Sequence, residues 1–224
     1  MKKSSRISVS EIASLGVFAA VAYVLTFVSR FLPAPVPAVP FLKFDPKDFI
    51  IVIAGFLFGP LQALAITVVV SLIEMVTIST TGYIGLIMNI LSTSAFVVPA
   101  SLVYRSYRKP AGAIIGLALG SLVMTGVMLL WNYLITPLYM TVPREAVAKL
   151  LLPAFLPFNL IKAAINTALA LLLYKPLAAA LRKARVLPES TGKRSVGATV
   201  LFVILGIFLL ISVTLVILVI NGLV

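Results

Sequence analysis

The chain has no cysteine and no histidine, and only six of its 224 residues are acidic. Lack of cysteine excludes disulfides and thiol nucleophiles; lack of histidine also removes haem ligation and most zinc sites. The carboxylates are Glu11, Asp45, Asp48, Glu74, Glu145 and Glu189. That is a poor supply for a metal enzyme or for a proton pump built on carboxylate relays. Charged residues make up 11% of the chain, under half the usual share for a soluble domain. Hydrophobic residues make up 62%, and mean hydropathy is +1.19. These values describe an all-α, multi-pass integral protein of the cell membrane, with the lipid bilayer as its first partner.

The net charge of +12 invites a nucleic-acid partner, but the positions of the charges argue against one. Lysines and arginines gather in short loops between apolar runs, where they set orientation across a membrane. The first apolar run, 12–32, outlasts a signal-peptide core and continues into the fold, so no cleavable leader is expected.

One polar stripe interrupts the apolar runs. Within 151–173, Asn159, Lys162 and Asn166 follow i, i+3, i+7 spacing and share a helical face. Lys162 stands mid-run, the one lysine expected to be out of reach of an interface. A charge at that depth costs about 2.5–3.5 kcal/mol on insertion scales and usually faces a protein interior or cavity. A lone lysine would snorkel outward, and lone asparagines would bond neighbouring helices. Three polar groups on one face, with no carboxylate in the same helix, read instead as the wall of a binding site. Lys162→Ala is accordingly expected to weaken binding and leave the fold intact.

Along the chain, a basic start (Lys2, Lys3, Arg6) precedes the first span. Gly16 and Ala20 form a small-xxx-small pair on that span, which Ala13, Ala19 and Ala22 widen. The surface suits either a partner helix or packing within the subunit. Pro33, Pro35, Pro37 and Pro40 predict an extended, stiff loop, read as either a lid or a connector. Asp45-Pro46-Lys47-Asp48 opens the next helix. The apolar run 49–78 is too long for one crossing, and Gly59-Pro60 marks a break into two shorter helices. Glu74, expected as the only carboxylate at membrane depth, has two available roles, pairing with Lys162 or meeting ligand.

A hydroxyl-rich turn, Ser79-Thr80-Thr81-Gly82-Tyr83, leads to a fourth span carrying Asn89, Ser92, Thr93 and Ser94. The fifth span runs over 111–138, with glycines at 112, 116 and 120 for close packing. It ends in Trp131-Asn132-Tyr133, where Asn132 is placed either in an interfacial belt or against a ring ligand. A loop is expected from Pro137 to Lys149, and the sixth span is expected to close at Tyr174-Lys175-Pro176. The expected organisation is a six-helix domain over 1–185, a basic linker over 186–195 and a seventh, almost purely aliphatic helix within 196–224. The piece Leu187-Pro188-Glu189-Ser190-Thr191-Gly192 resembles a sortase signal but has one residue too many, and its membrane span lies in the wrong order relative to the basic cluster. With the N-terminus cytoplasmic, twelve basic residues fall inside and five outside, Lys162 aside.

The runs Phe41-Leu42-Lys43-Phe44-Asp45-Pro46-Lys47-Asp48, Gly55-Phe56-Leu57-Phe58-Gly59-Pro60 and Thr80-Thr81-Gly82 resemble the substrate-binding S components of energy-coupling-factor vitamin transporters. Trp131-Asn132-Tyr133, Pro157-Phe158-Asn159-Leu160-Ile161-Lys162 and Leu173-Tyr174-Lys175-Pro176-Leu177 are similar to the riboflavin-specific branch. The resemblance covers about 8–180 and implies a six-helix S-component bundle with an outward pocket under the proline loop. It implies riboflavin as transported ligand rather than cofactor. It also implies a transmembrane coupling protein and two cytoplasmic ATPases as partners, the coupling protein meeting Ala13, Gly16 and Ala20. The absence of a phosphate-cradling Gly-x-x-x-x-Gly-Lys-Ser/Thr agrees with ATP hydrolysis elsewhere. Ligand contacts are expected from Asn132, Asn159, Lys162 and Asn166, from Thr80, Thr81, Gly82, Leu42 and Lys43, and from Glu74 and Asn89.

Three other readings remain open at this point. The vitamin could be thiamin, pantothenate or another. An intramembrane lipid-modifying enzyme would have only Glu74, Lys162 and hydroxyls to work with. An autonomous transporter would be expected to carry inverted repeats, and none is evident.

Overall fold

The computed structural model describes residues 8–32, 36, 42–187 and 196–222. The basic N-terminal residues, the four prolines of the 33–40 loop and the linker pieces over 188–195 lie outside the described residues. The elements are α1 (Val9–Ser29), α2 (Lys47–Phe58), α3 (Pro60–Thr77), α4 (Gly82–Ser106), α5 (Pro110–Met140) and α6 (Arg144–Leu150). A π-helical turn (Leu151–Phe155) then leads into α7 (Leu156–Lys183), and α8 (Val196–Ile220) follows. Six helical stretches are long and apolar enough to span a bilayer: α1, α3, α4, α5, 144–183 and α8.

The remaining helix, α2, organises the rest. At 12 residues it is too short to cross a bilayer, and every residue from Lys47 to Gly55 is buried. It packs against α1, α3, α4 and α7. Gly59 breaks it from α3 in a backbone conformation (φ 121°) that favours glycine, and Pro60 then starts α3 where no amide hydrogen is needed. The Gly59-Pro60 break thus falls where the sequence places it.

Prolines elsewhere mislead. Pro137 does not end α5, which runs on to Met140 and closes with Thr141 in the left-handed region (φ 52°). The expected 137–149 loop is therefore mostly helical, with α6 inside it. Likewise α7 passes through Pro176 to Lys183. Packed helical neighbours and an apolar surround leave the chain little alternative to helix, so proline is tolerated there.

The glycines of α5 serve as expected. A Cβ at Gly116 or Gly120 would run into the carbonyl oxygens of Ala100 and Phe96, so α4 and α5 lie backbone to backbone. On α1 the small residues divide. Ala19 and Ala22 are buried in the core, whereas Ala13, Gly16 and Ala20 face outward, and a Cβ at Gly16 would meet nothing within 4 Å.

Helix α8 lies along α7. Its buried residues, Ala198, Phe202, Gly206 and Val213, form one stripe, and Gly206 admits Leu172 and the Ala168 carbonyl. The Lys175 ammonium donates to Thr199 Oγ1 at 2.7 Å. Near its other end, Val213 joins a buried apolar cluster with Val36, Leu42, Val147, Phe155 and Phe158. Val36 and Leu42, both buried, belong to the proline-rich connection between α1 and α2.

Candidate ligand-binding site

Where the 42–45 and 79–81 segments meet α4, α5 and α7, they enclose an open-mouthed cavity of about 950 Å³, its mouth included. Trp131, Ile135, Met88, Met128 and Phe158 supply broad apolar surface, while Asn132, Asn159, Lys162, Asn89 and Ser92 supply polar groups. Arg30 and Lys43 also line it, together with Thr80, Thr81 and Leu42.

The polar walls are braced by the helices that carry them. Asn132 Nδ2 donates to the Met128 carbonyl at 2.7 Å, and its Oδ1 accepts from Thr136 at 2.8 Å. Asn159 Nδ2 donates to the Phe155 carbonyl at 2.8 Å, within the π-helical turn, and leaves its oxygen available. Asn89 Nδ2 donates to Glu74 Oε2 at 2.8 Å. The cavity therefore presents oriented acceptors and donors between flat apolar faces.

Beneath it lies a buried ionic network that the sequence reading missed. Lys47 Nζ bonds both Glu74 oxygens at 2.7 Å and lies 2.7 Å from Asp45 Oδ2. Thr26 of α1 donates to the other Asp45 oxygen at 2.9 Å. Lys162 lies 3.2 Å from Asp48 Oδ2, and Thr93 donates to Asp48 Oδ1 at 2.6 Å. Three carboxylates thus face two ammonium groups in this network. Burial alone would raise the Asp45 carboxyl. The ammonium groups of Lys47 and Lys162, with hydrogen bonds from Lys47 and Thr26, hold it well below the usual carboxylate range.

Several expectations change in consequence. Lys162 is not the only deep lysine, because Lys47 is fully buried, and so Lys47 leaves the set of basic residues counted outside. Glu74 is not the only buried carboxylate; Asp45 and Asp48 join it. Glu74 pairs with Lys47 rather than Lys162. Lys162 does have a carboxylate, supplied by α2 instead of its own helix, so Lys162→Ala would strand a buried charge as well as empty the wall.

Of the expected contact residues, Leu42, Lys43, Thr80, Thr81, Asn89, Asn132, Asn159 and Lys162 line this one cavity. Glu74, Asn166 and Gly82 do not. Asn166 shares the Lys162 face but is buried one turn deeper, accepting from the Phe49 amide at 2.9 Å and donating to the Asp45 and Lys162 carbonyls. Gly82 takes a left-handed conformation (φ 53°) at the start of α4 and serves the turn. Arg30, Asp45 and Ser92 also line the cavity and were not among the expected contact residues.

Residues 10–174 match the family described as ECF transporter, substrate-specific component. The chain belongs to that family. It is a membrane transport component and not an enzyme. It is 28% identical over 177 residues to the riboflavin transporter RibU of Staphylococcus aureus (strain TCH60), covering 76% of this chain and 91% of the relative. It is also 28% identical over 160 residues to the riboflavin transporter FmnP of Bacillus subtilis (strain 168), covering 67% and 84% respectively. Among solved structures, an S component of a bacterial ECF transporter superposes with a TM-score of 0.63 at 30% identity, covering 76% of this chain and 96% of that one. Helix α8 lies beyond the matched residues of this S component.

Proposed function

We propose that this S component captures riboflavin at the outer face of the membrane and delivers it by associating with a transmembrane coupling protein and two cytoplasmic ATPases. The observation that carries the reading is the convergence of Lys162, Asn159 and Asn132 on one cavity flanked by Trp131 and Phe158. An isoalloxazine ring is flat and apolar, with carbonyl oxygens and ring nitrogens along one edge. Lys162, Asn132 and Asn159 meet that edge, and the aromatic and aliphatic groups cover its faces. Thr80, Thr81 and the 42–43 segment take the ribityl hydroxyls. Relatives named as riboflavin transporters support the same ligand.

In this reading the N-terminus is cytoplasmic, as the basic-residue bias requires. Residues 1–185 form the binding domain, 186–195 a linker and 196–224 an accessory helix. The outward Ala13/Gly16/Ala20 face of α1 meets the coupling protein.

Riboflavin titration of the detergent-purified protein, followed by fluorescence quenching, tests the assignment. Stoichiometric quenching at low ligand concentration is expected. A protein that ignores riboflavin and binds another vitamin would keep the family and overturn the ligand.

A further inference from the structure

Lys162 is the one charged group on the α7 side of the cavity, and its ammonium is not left to find its own position. It lies 3.2 Å from Asp48 Oδ2 and donates to Ser92 Oγ at 3.3 Å. Of the three N–H groups of the ammonium, Ser92 takes one, while Asp48 holds the charge as an ion pair whose facing oxygen makes no aligned hydrogen bond, so a donor remains for the cavity. Asp48 itself is 1% exposed and off the cavity wall, and its second oxygen is held by Thr93. Of the other buried carboxylates, Asp45 pairs directly with Lys47 and Thr26 and feels Lys162 only at longer range, and Glu74 pairs with Lys47 and Asn89. Asp48 is therefore the carboxylate that balances Lys162.

We propose that Asp48 is the positioning residue of the ligand wall, fixing the Lys162 ammonium so that one N–H is directed at an acceptor on the ligand's edge. The inference rests on the riboflavin reading and deepens it. A lysine stem has four rotatable carbons and does not hold a donor in place unaided. Anchored between Asp48 and Ser92, it does. Because the Lys162–Asp48 pair is neutral, it offers a directed donor without net charge. Such a donor suits a carbonyl oxygen or ring nitrogen on the ligand's edge.

The test uses the full chain in detergent, with riboflavin affinity and the visible absorption spectrum of the bound flavin as readouts. Asp48→Asn keeps the shape and the acceptor for Thr93 but turns an amide toward Lys162. It is expected to weaken riboflavin binding by about 10- to 100-fold, the scale of a lost charge-assisted contact, and to shift the flavin band. Asp48→Glu should recover most of the affinity while leaving a shifted spectrum. In a Lys162→Gln background, Asp48→Asn should cost no further affinity, which a merely structural Asp48 would not show. Wild-type affinity and spectrum in Asp48→Asn, or equal losses with and without Lys162, would overturn the proposal. If Asp48→Asn does not fold, Asp48→Glu decides: a spectrum identical to wild type overturns it. Failure of the wild type to bind riboflavin is a different result and overturns the functional reading instead.

Discussion

The side-chain oxygen of Asn166 accepts the backbone N–H of Phe49, 117 positions earlier in the chain, at 2.9 Å. Its amide donates to the carbonyls of Asp45 and Lys162 at 3.3 and 2.9 Å. One buried side chain thus joins the start of α2 to the middle of α7, between two stretches that face the cavity. An orphaned amide hydrogen at a helix start is costly away from water, and here an asparagine from another helix satisfies it.

Asn166→Ala should therefore act first on stability. Leaving the Phe49 amide and the Asp45 carbonyl unpaired is expected to cost about 1–3 kcal/mol. Thermal unfolding of the detergent-purified protein should show the loss without any ligand present. Unchanged stability with weakened riboflavin binding would instead place Asn166 at the ligand.

Lys47 carries a heavier structural burden. It is fully buried and stands between Asp45 and Glu74, so Lys47→Met leaves two buried carboxylates without their cation. Breaking a buried ion pair from one side costs about 3–5 kcal/mol, and poor recovery of folded protein is expected. Adding Glu74→Gln to Lys47→Met removes one of the stranded charges and should recover part of the stability. The comparison is made by thermal unfolding of the single and double variants. Equal stability of the two would show that Glu74 does not depend on Lys47.

The extent to which this arrangement is legible from sequence depends on the range of the interaction. The Gly59-Pro60 break and the shared face of Asn159, Lys162 and Asn166 follow from local geometry and could be read directly. The Lys47–Glu74 and Lys162–Asp48 pairs join different helices, and no local pattern announces them. Asp45-Pro46-Lys47-Asp48 satisfies every rule for a solvent-facing helix start, yet it is drawn inside because its charges find partners on α3 and α7. Pro137 and Pro176 mislead for a related reason. They terminate helices in water, whereas surrounding helices and lipid hold α5 and α7 in register beyond them.

On α1, the outward position of Gly16 permits a clean separation of capture from transport. A Cβ there meets nothing within 4 Å, and a non-glycine residue favours the helix by about 0.5–1 kcal/mol. Gly16→Leu should leave riboflavin titration of the isolated subunit unchanged. Uptake in cells supplying the coupling protein and ATPases should fall, because a larger side chain separates helices that would otherwise approach closely. Normal uptake by Gly16→Leu would remove this face from the proposed coupling surface.

Helix α8 lies outside the family match, and its contacts predict a kinetic role. Val213 belongs to the same buried apolar cluster as Val36 and Leu42 of the connection between α1 and α2 and Phe158 on the cavity wall. Removal of α8 takes Val213 out of that cluster but leaves the Lys162, Asn132 and Asn159 wall in place. A chain ending after Leu187 should consequently fold and still bind riboflavin, since α8 buries only one narrow stripe of its own surface. Burial of a valine is worth about 1.5–3 kcal/mol, so if this cluster is broken on the way to the transition state for release, its loss corresponds to roughly 10- to 150-fold faster release. Stopped-flow measurement of riboflavin dissociation reads this directly. Identical release rates with and without α8 would confine the helix to packing against α7 and separate it from ligand release.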